Sequence, residues 1–258
     1  MDRPEGPPLL THDGPGRATI TLNRPRHLNR LHREDLLALL AHIAQLSADR
    51  SLRAVVITGR GRAFCAGFNL QELEQADAAG QDPQLFERTV DALEALPVPT
   101  IARLGGGVWG GATDLALACD FRVGVTGMEL RMPAARLGLH YYPSGLQRYV
   151  SRLGLAAAKR LFLLAETVSA QDLLQLGYLD QLVEPGDLDA AVERLAQSLL
   201  AGAPLALQGM KLSLNEVSRG LWKSASIRQR VAQCASSDDL AEGLAAFAQR
   251  RAAQFKGQ

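Results

Sequence analysis

Cysteine is scarce in this chain: Cys65, Cys119 and Cys234 are the only three among 258 residues. The number is odd and no pair has metal-ligand spacing, which argues against a disulfide framework or a cysteine-held metal and for a reduced, cytoplasmic setting. His12, His27, His32 and His42 form no ligand spacing either, so no metal is expected. Long apolar runs are missing as well. No stretch approaches the ~20 residues that a membrane-spanning helix requires, and the opening MDRPEGPPLLTHDG places Pro, Gly and acids where a signal peptide needs an apolar run. An excess of one charge sign is also absent. With 28 basic and 27 acidic residues, a net charge of +1 and no Lys/Arg-rich stripe, neither nucleic acid nor a membrane surface is an expected partner. There is no low-complexity segment and no clean short-period repeat.

What is present suits a folded globular protein. Hydrophobic residues make up 47% of the chain and charged residues 21%, enough to bury a large core. Its length predicts one substantial domain with an appendage. Arg17–Asn23 (RATITLN) alternates apolar and polar residues, the pattern of a half-buried strand. Leu36, Leu39, Leu40, Ile43 and Leu46 recur at helical spacing. RAVVIT, over 53–58, reads as a buried strand, and so do the runs 100–104 and 121–125. Helices are expected over 69–79, 83–96 and 112–119. From about Gly154 onward the pattern is almost entirely helical. Strand–helix alternation in the first two thirds argues for an α/β fold with parallel strands.

Two segments have the makings of a reactive site. RAFCAGFNL (62–70) follows the strand RAVVIT directly, and its small residues Ala66 and Gly67 let the backbone approach a ligand closely. GGGVWGGATDLALACD (105–120) places Gly110 and Gly111 at the start of an apolar helix. A helix N-terminus presents free N–H groups and the positive end of its dipole, which suit a developing negative charge. Two such loops can supply two N–H donors to one oxygen, an oxyanion hole. Each loop alone reads more often as a plain tight turn, by roughly two to one, and GGGVWGG lacks the spacing of a dinucleotide fingerprint.

Taken together, the motifs resemble the crotonase (enoyl-CoA hydratase/isomerase) family over nearly the whole chain. Asn23-Arg24-Pro25 with Asn29, VVITGRGRAFCAGFNL, PTIARLGGGVWGGATDLALACDFRV, MPAARLGL, GLQRYVSRLG and the tail DDLAEGLAAFAQRRAAQFKG occur in the family's order. The resemblance implies the crotonase spiral of ββα turns in two sheets over 1–200, carrying an acyl-CoA site. It implies a helical trimerisation region over 201–258 and a homotrimer or homohexamer. The substrate would be an acyl-CoA thioester, with coenzyme A as part of the substrate and no separate cofactor.

By resemblance the oxyanion donors are the N–H groups of Phe68 and Gly111. Arg26, Arg62, Ala63, Cys65, Ala66 and Lys256 fall at positions that contact CoA, although Arg26 and Lys256 read equally as solvated surface charge. Trp109, Ala134 and Tyr142 fall on the substrate pocket. The acid–base positions depart from the family pattern. One hydratase glutamate is Asp114 here, and the other is Ala134, which cannot transfer a proton. Hydration needs one group to activate water and another to protonate the α-carbon. Tyr141 and His140 are the remaining candidates for proton transfer. The expected activity is that of an atypical enoyl-CoA hydratase/isomerase acting through a thioester enolate. The alternatives are a decarboxylase or hydrolase using Tyr141 or His140, and a non-catalytic acyl-CoA binder.

Overall fold

The computed structural model describes residues 4–72 and 82–258. Strands β1 (Leu9–His12), β2 (Arg17–Leu22), β3 (Ala54–Gly59), β4 (Ala63–Cys65), β5 (Thr100–Leu104), β6 (Gly107–Trp109), β7 (Phe121–Val125), β8 (Glu129–Arg131), β9 (Val168–Ser169) and β10 (Gln181–Val183) form two sheets. The larger has the order β1-β2-β3-β5-β7-β10 and the smaller β4-β6-β8-β9. All pairings are parallel except β1 with β2 and β8 with β9.

The chain visits the two sheets alternately. β3 runs into β4, β5 into β6 and β7 into β8, so each turn of the spiral lays one strand in each sheet. This is the ββα spiral that the motifs implied. The burial of each strand follows from its position. In β2, Ala18, Ile20 and Leu22 are buried in alternation with half-buried residues, whereas Ala54–Ile57 of β3 are all buried. A central parallel strand covered on both faces needs a continuous apolar run.

Glycines and one asparagine make the corners between sheets. A Cβ on Gly59 would lie 2.3 Å from the Phe64 carbonyl oxygen, and one on Gly106 would lie 2.0 Å from the Arg62 carbonyl oxygen. Buried Asn29, at a positive φ of 51–56° with its neighbour Leu28, donates its amide to the carbonyls of Arg60, Ala63 and Phe64 at 2.8–3.1 Å. Thus the Asn29 of the opening motif fastens the first corner.

The helices are α1 (Arg33–Ala48), α2 (Leu85–Glu94), α3 (Ala112–Leu117), α4 (Pro143–Lys159), α5 (Ala170–Gln175), α6 (Leu188–Leu200), α7 (Pro204–Ser218), α8 (Ser224–Ala235) and α9 (Asp238–Gln249). Leu36, Leu39, Ile43 and Leu46 form the buried stripe of α1, as their spacing predicts. Short α3 is buried along its whole length, so it can be apolar all round. The helix expected over 69–79 starts at Leu70 and is described to Glu72; positions 73–81 lie outside the described residues.

One expectation needs correction. The last third is not purely helical, because β9 and β10 each add an edge strand to one sheet. Strands of two and three residues are too short to show a period in sequence. They form because β8 and β7 already present unpaired backbone groups. Beyond residue 201, α7 is anchored by Lys211, whose Nζ donates to the Val98 carbonyl at 2.9 Å and pairs with Asp120 at 2.6 Å.

The corner geometry has a measurable consequence. Gly106→Ala is expected to cost about 3 kcal/mol in urea denaturation, because the backbone opposite must move. Gly186→Ala, where nothing lies within 4 Å of the new Cβ, is expected to change stability by less than ~1 kcal/mol.

Candidate active site

Two loops meet at the C-terminal ends of small-sheet strands β4 and β6. In the first, Gly67 has φ +89°, and a Cβ there would lie 2.8 Å from the Trp109 carbonyl oxygen and 3.2 Å from the Gly111 nitrogen. Only glycine satisfies both conditions. Leu31 brackets the next residue: its N–H donates to the Gly67 carbonyl at 2.8 Å, and its carbonyl accepts from the Asn69 N–H at 2.9 Å. In such a parallel bridge the N–H of the bracketed residue, Phe68, points to the opposite side. In the second loop, Gly110 has φ +56° and Gly111 caps α3. The Gly110 N–H is held by the Arg131 carbonyl, whereas the N–H groups of Phe68 and Gly111 have no acceptor among the described residues.

Both loops border a cavity of about 600 Å³. Of the residues singled out in the sequence, Ala66, Phe68, Trp109, Gly111, Ala134, His140, Tyr141 and Tyr142 all line it. Its walls are mainly apolar. The Phe86 ring lies 6.1 Å from those of both Phe68 and Tyr142, and Tyr141 stacks on Tyr142 at 4.3 Å. His140 is exposed, with Nδ1 at 2.8 Å from the Tyr141 carbonyl oxygen.

Asp114 does not border this cavity. It is fully buried behind Tyr142, whose hydroxyl donates to Asp114 Oδ2, and Arg148 Nη1 donates to the same oxygen at 2.7 Å. Tyr141 in turn donates to the Tyr142 hydroxyl at 3.3 Å. Burial, followed by the neighbouring Asp114 charge, pushes both tyrosine pKa values well above the ordinary range. The two hydroxyls therefore stay protonated and act as donors, not bases. Arg148 also pairs with Asp91 at 2.6 Å and Glu94 at 3.1 Å. Its burial works against the charge, yet the Asp114 carboxylate holds its pKa above the usual arginine value.

Nothing in the sequence singled out Arg148, although it lies within the quoted GLQRYVSRLG. The spacing of one helix does not identify partners on two others. Two further cavity residues were also missed. Glu87 on α2 lines the cavity and accepts from Ser144 Oγ at 3.0 Å, and Arg30 lines it with a buried Nε that has no hydrogen-bond partner among the described residues.

The positions expected to contact CoA separate in the structure. Ala66 lines the cavity, while Ala63 and Cys65 point into the core and can offer a ligand only their backbone. The Cys65 thiol donates to the Asn29 carbonyl, and burial pushes its pKa up to about 12, so it packs and does not react. Arg62 is exposed. Arg26 is 87% exposed beside Glu5, and exposed Lys256 donates its backbone N–H to Asp239.

Two N–H groups without an acceptor among the described residues, on adjoining loops over an apolar cavity, can hold a negatively charged oxygen. Residues 15–258 match the family enoyl-CoA hydratase/isomerase, and the chain belongs to it. Among its relatives, YngF of Bacillus subtilis is 34% identical over 254 residues, covering 96% of this chain and 98% of that one. The 2,3-dehydroadipyl-CoA hydratase of Escherichia coli is 33% identical, covering 93% and 94%. The crystal structure of an enoyl-CoA hydratase/carnithine racemase from Magnetospirillum magneticum superposes with a TM-score of 0.90 at 28% identity, covering 100% of this chain and 98% of that one.

Removing Arg148 leaves the Asp114 charge buried without its cationic partner, while Glu94 keeps Arg152 and Arg219. Arg148→Met is expected to lower stability by about 3–5 kcal/mol in urea denaturation. Adding Asp114→Asn is expected to recover part of that loss, a coupling that a double-mutant cycle measures.

Proposed function

We propose that this protein binds an acyl-CoA thioester and stabilises its enolate, with the thioester oxygen between the N–H groups of Phe68 and Gly111. The observation that carries this reading is the pair of unclaimed N–H donors on two touching loops at the wall of one apolar cavity. Such preorganised donors are worth about 3–4 kcal/mol of barrier each. The reaction is of the enoyl-CoA hydratase/isomerase kind. Coenzyme A enters as part of the substrate, Ala66 and Arg30 face it from the cavity, and Arg26, Arg62 and Lys256 lie outside with charges suited to phosphate.

Within that class, double-bond isomerisation is favoured over hydration. Hydration needs two proton-transfer groups, and Ala134 supplies none. Asp114 reaches the cavity only through the Tyr142 hydroxyl that covers it. Decarboxylation has one observation in its favour. Tyr141 and Tyr142 are protonated donors at the cavity wall, and an enolate left by loss of CO2 needs only a proton.

The oxyanion assignment can be isolated in one background. Gly111 has φ −58°, which proline accommodates, but a Cβ there would lie 2.6 Å from the tip of the Phe86 ring. In a Phe86→Ala background, Gly111→Ala keeps the N–H and Gly111→Pro deletes it. Turnover of a panel of acyl-CoAs, followed by mass spectrometry, is expected to be about 10²–10³-fold slower in the proline variant than in the alanine one. Equal rates would remove Gly111 from the mechanism, and binding without turnover of any thioester by the wild type would leave only an acyl-CoA binder.

The assembly reading is a homotrimer built through the C-terminal helices. Leu214, Leu221, Trp222, Val231, Leu244 and Phe247 expose half or more of their surface, with Phe247 at 87%. Such a density of exposed apolar side chains marks an interaction surface. Light scattering on the purified protein is expected to return three times the chain mass or a multiple of it. A monomer would overturn this reading.

A further inference from the structure

With Ala134 in place of one acid and Asp114 withdrawn behind Tyr142, the cavity needs another group to move a proton. Among the described residues that line it, Glu87 is the sole carboxylate. Glu87 sits in the first turn of α2. Ser144 Oγ, at the start of α4, donates to Oε1 at 3.0 Å and fixes the carboxylate, while Oε2 has no partner among the described residues. The preceding residue, Phe86, packs directly on Gly111, so α2 holds Glu87 in register with the loop that carries one oxyanion donor. By contrast, both oxygens of Asp114 lie in the protein interior, and its Oδ2 is shared by Tyr142 and Arg148.

From this arrangement we infer that Glu87 is the catalytic base of this enzyme, taking a proton from the carbon next to the thioester carbonyl. The inference rests on the enolate reading above and assigns it a residue. As the α C–H bond breaks, an O–H bond forms on Glu87 Oε2 and the electron pair moves onto the thioester oxygen held by Phe68 and Gly111. Return of the same proton to the γ-carbon of a 3-enoyl thioester would give the 2-enoyl isomer, with no atom or electron gained or lost. One carboxylate is enough for that shift and not for adding water, which matches the loss of the acid at Ala134. A negatively charged Glu87 would also repel an acyl group that carries its own carboxylate close to the reacting carbon, so the base disfavours the decarboxylation alternative.

The test is deuterium uptake. Full-length protein is incubated with butyryl-CoA in D2O, the α-position is followed by mass spectrometry, and butyryl-CoA affinity is measured by calorimetry. Wild type is expected to exchange the α-hydrogens. Glu87→Gln, nearly identical in shape, is expected to exchange at least about 100-fold more slowly with Kd changed less than threefold. Ser144→Ala, which leaves the carboxylate present but unfastened, is expected to slow exchange about tenfold at unchanged Kd. Exchange in Glu87→Gln within threefold of wild type would overturn the assignment and leave the enolate reading standing. Wild type that fails to bind butyryl-CoA, or binds it without exchange, would overturn both. If Glu87→Gln loses its native circular dichroism, unchanged exchange in Ser144→Ala is the overturning result.

Discussion

Arg148 is the point on which the site's architecture hangs. One guanidinium, 1% exposed, joins Asp91 and Glu94 of α2 to Asp114 of α3 from its place on α4. A buried carboxylate without a partner is costly by several kcal/mol, so these helices are held in one arrangement. One positive charge does not balance three negative ones. Arg152 and Arg219 complete the cluster at Glu94, and Arg152 spends its remaining donors on the Leu117 and Cys119 carbonyls. That cluster braces the helix whose first turn carries Glu87 and the helix whose N-terminus carries Gly111.

The same interaction sets the Asp114 carboxylate apart from the backbone N–H groups at the cavity. The two N–H groups without an acceptor among the described residues belong to backbone on two glycine loops and owe little to side chains. The carboxylate of Asp114 on α3, by contrast, is enclosed in the interior and held by side chains. Its negative charge is used to neutralise Arg148 and to orient the Tyr142 hydroxyl. The cavity wall in front of Asp114 is formed by stacked Tyr141 and Tyr142.

Much of the spiral was legible in the chain. RATITL and AVVI show their burial as an alternation and a continuous run, Thr100–Leu104 and Phe121–Val125 match their predicted limits, and the stripe of α1 is where its spacing puts it. The glycine loops were legible because glycine is demanded locally, by a positive φ at Gly67 and Gly110 and by close backbone contact at Gly67 and Gly106. The short strands β1, β4, β6, β8, β9 and β10 were not: two to four residues show no period, and β4, read as loop in the sequence, is a strand because β6 pairs with it.

What the sequence determined by itself was the four longer strands β2, β3, β5 and β7, the two glycine loops and the absence of an acid at position 134. Each is written in residues within one short window, through apolar period, glycine or a missing side chain. Tertiary structure alone decided which carboxylate faces the cavity. Asp114 is turned inward by Arg148, 34 residues away, and Glu87 is fastened at the wall by Ser144, 57 residues away. Exposure of a charged group is set by what packs around it, and those neighbours come from separate helices that meet only in the folded chain.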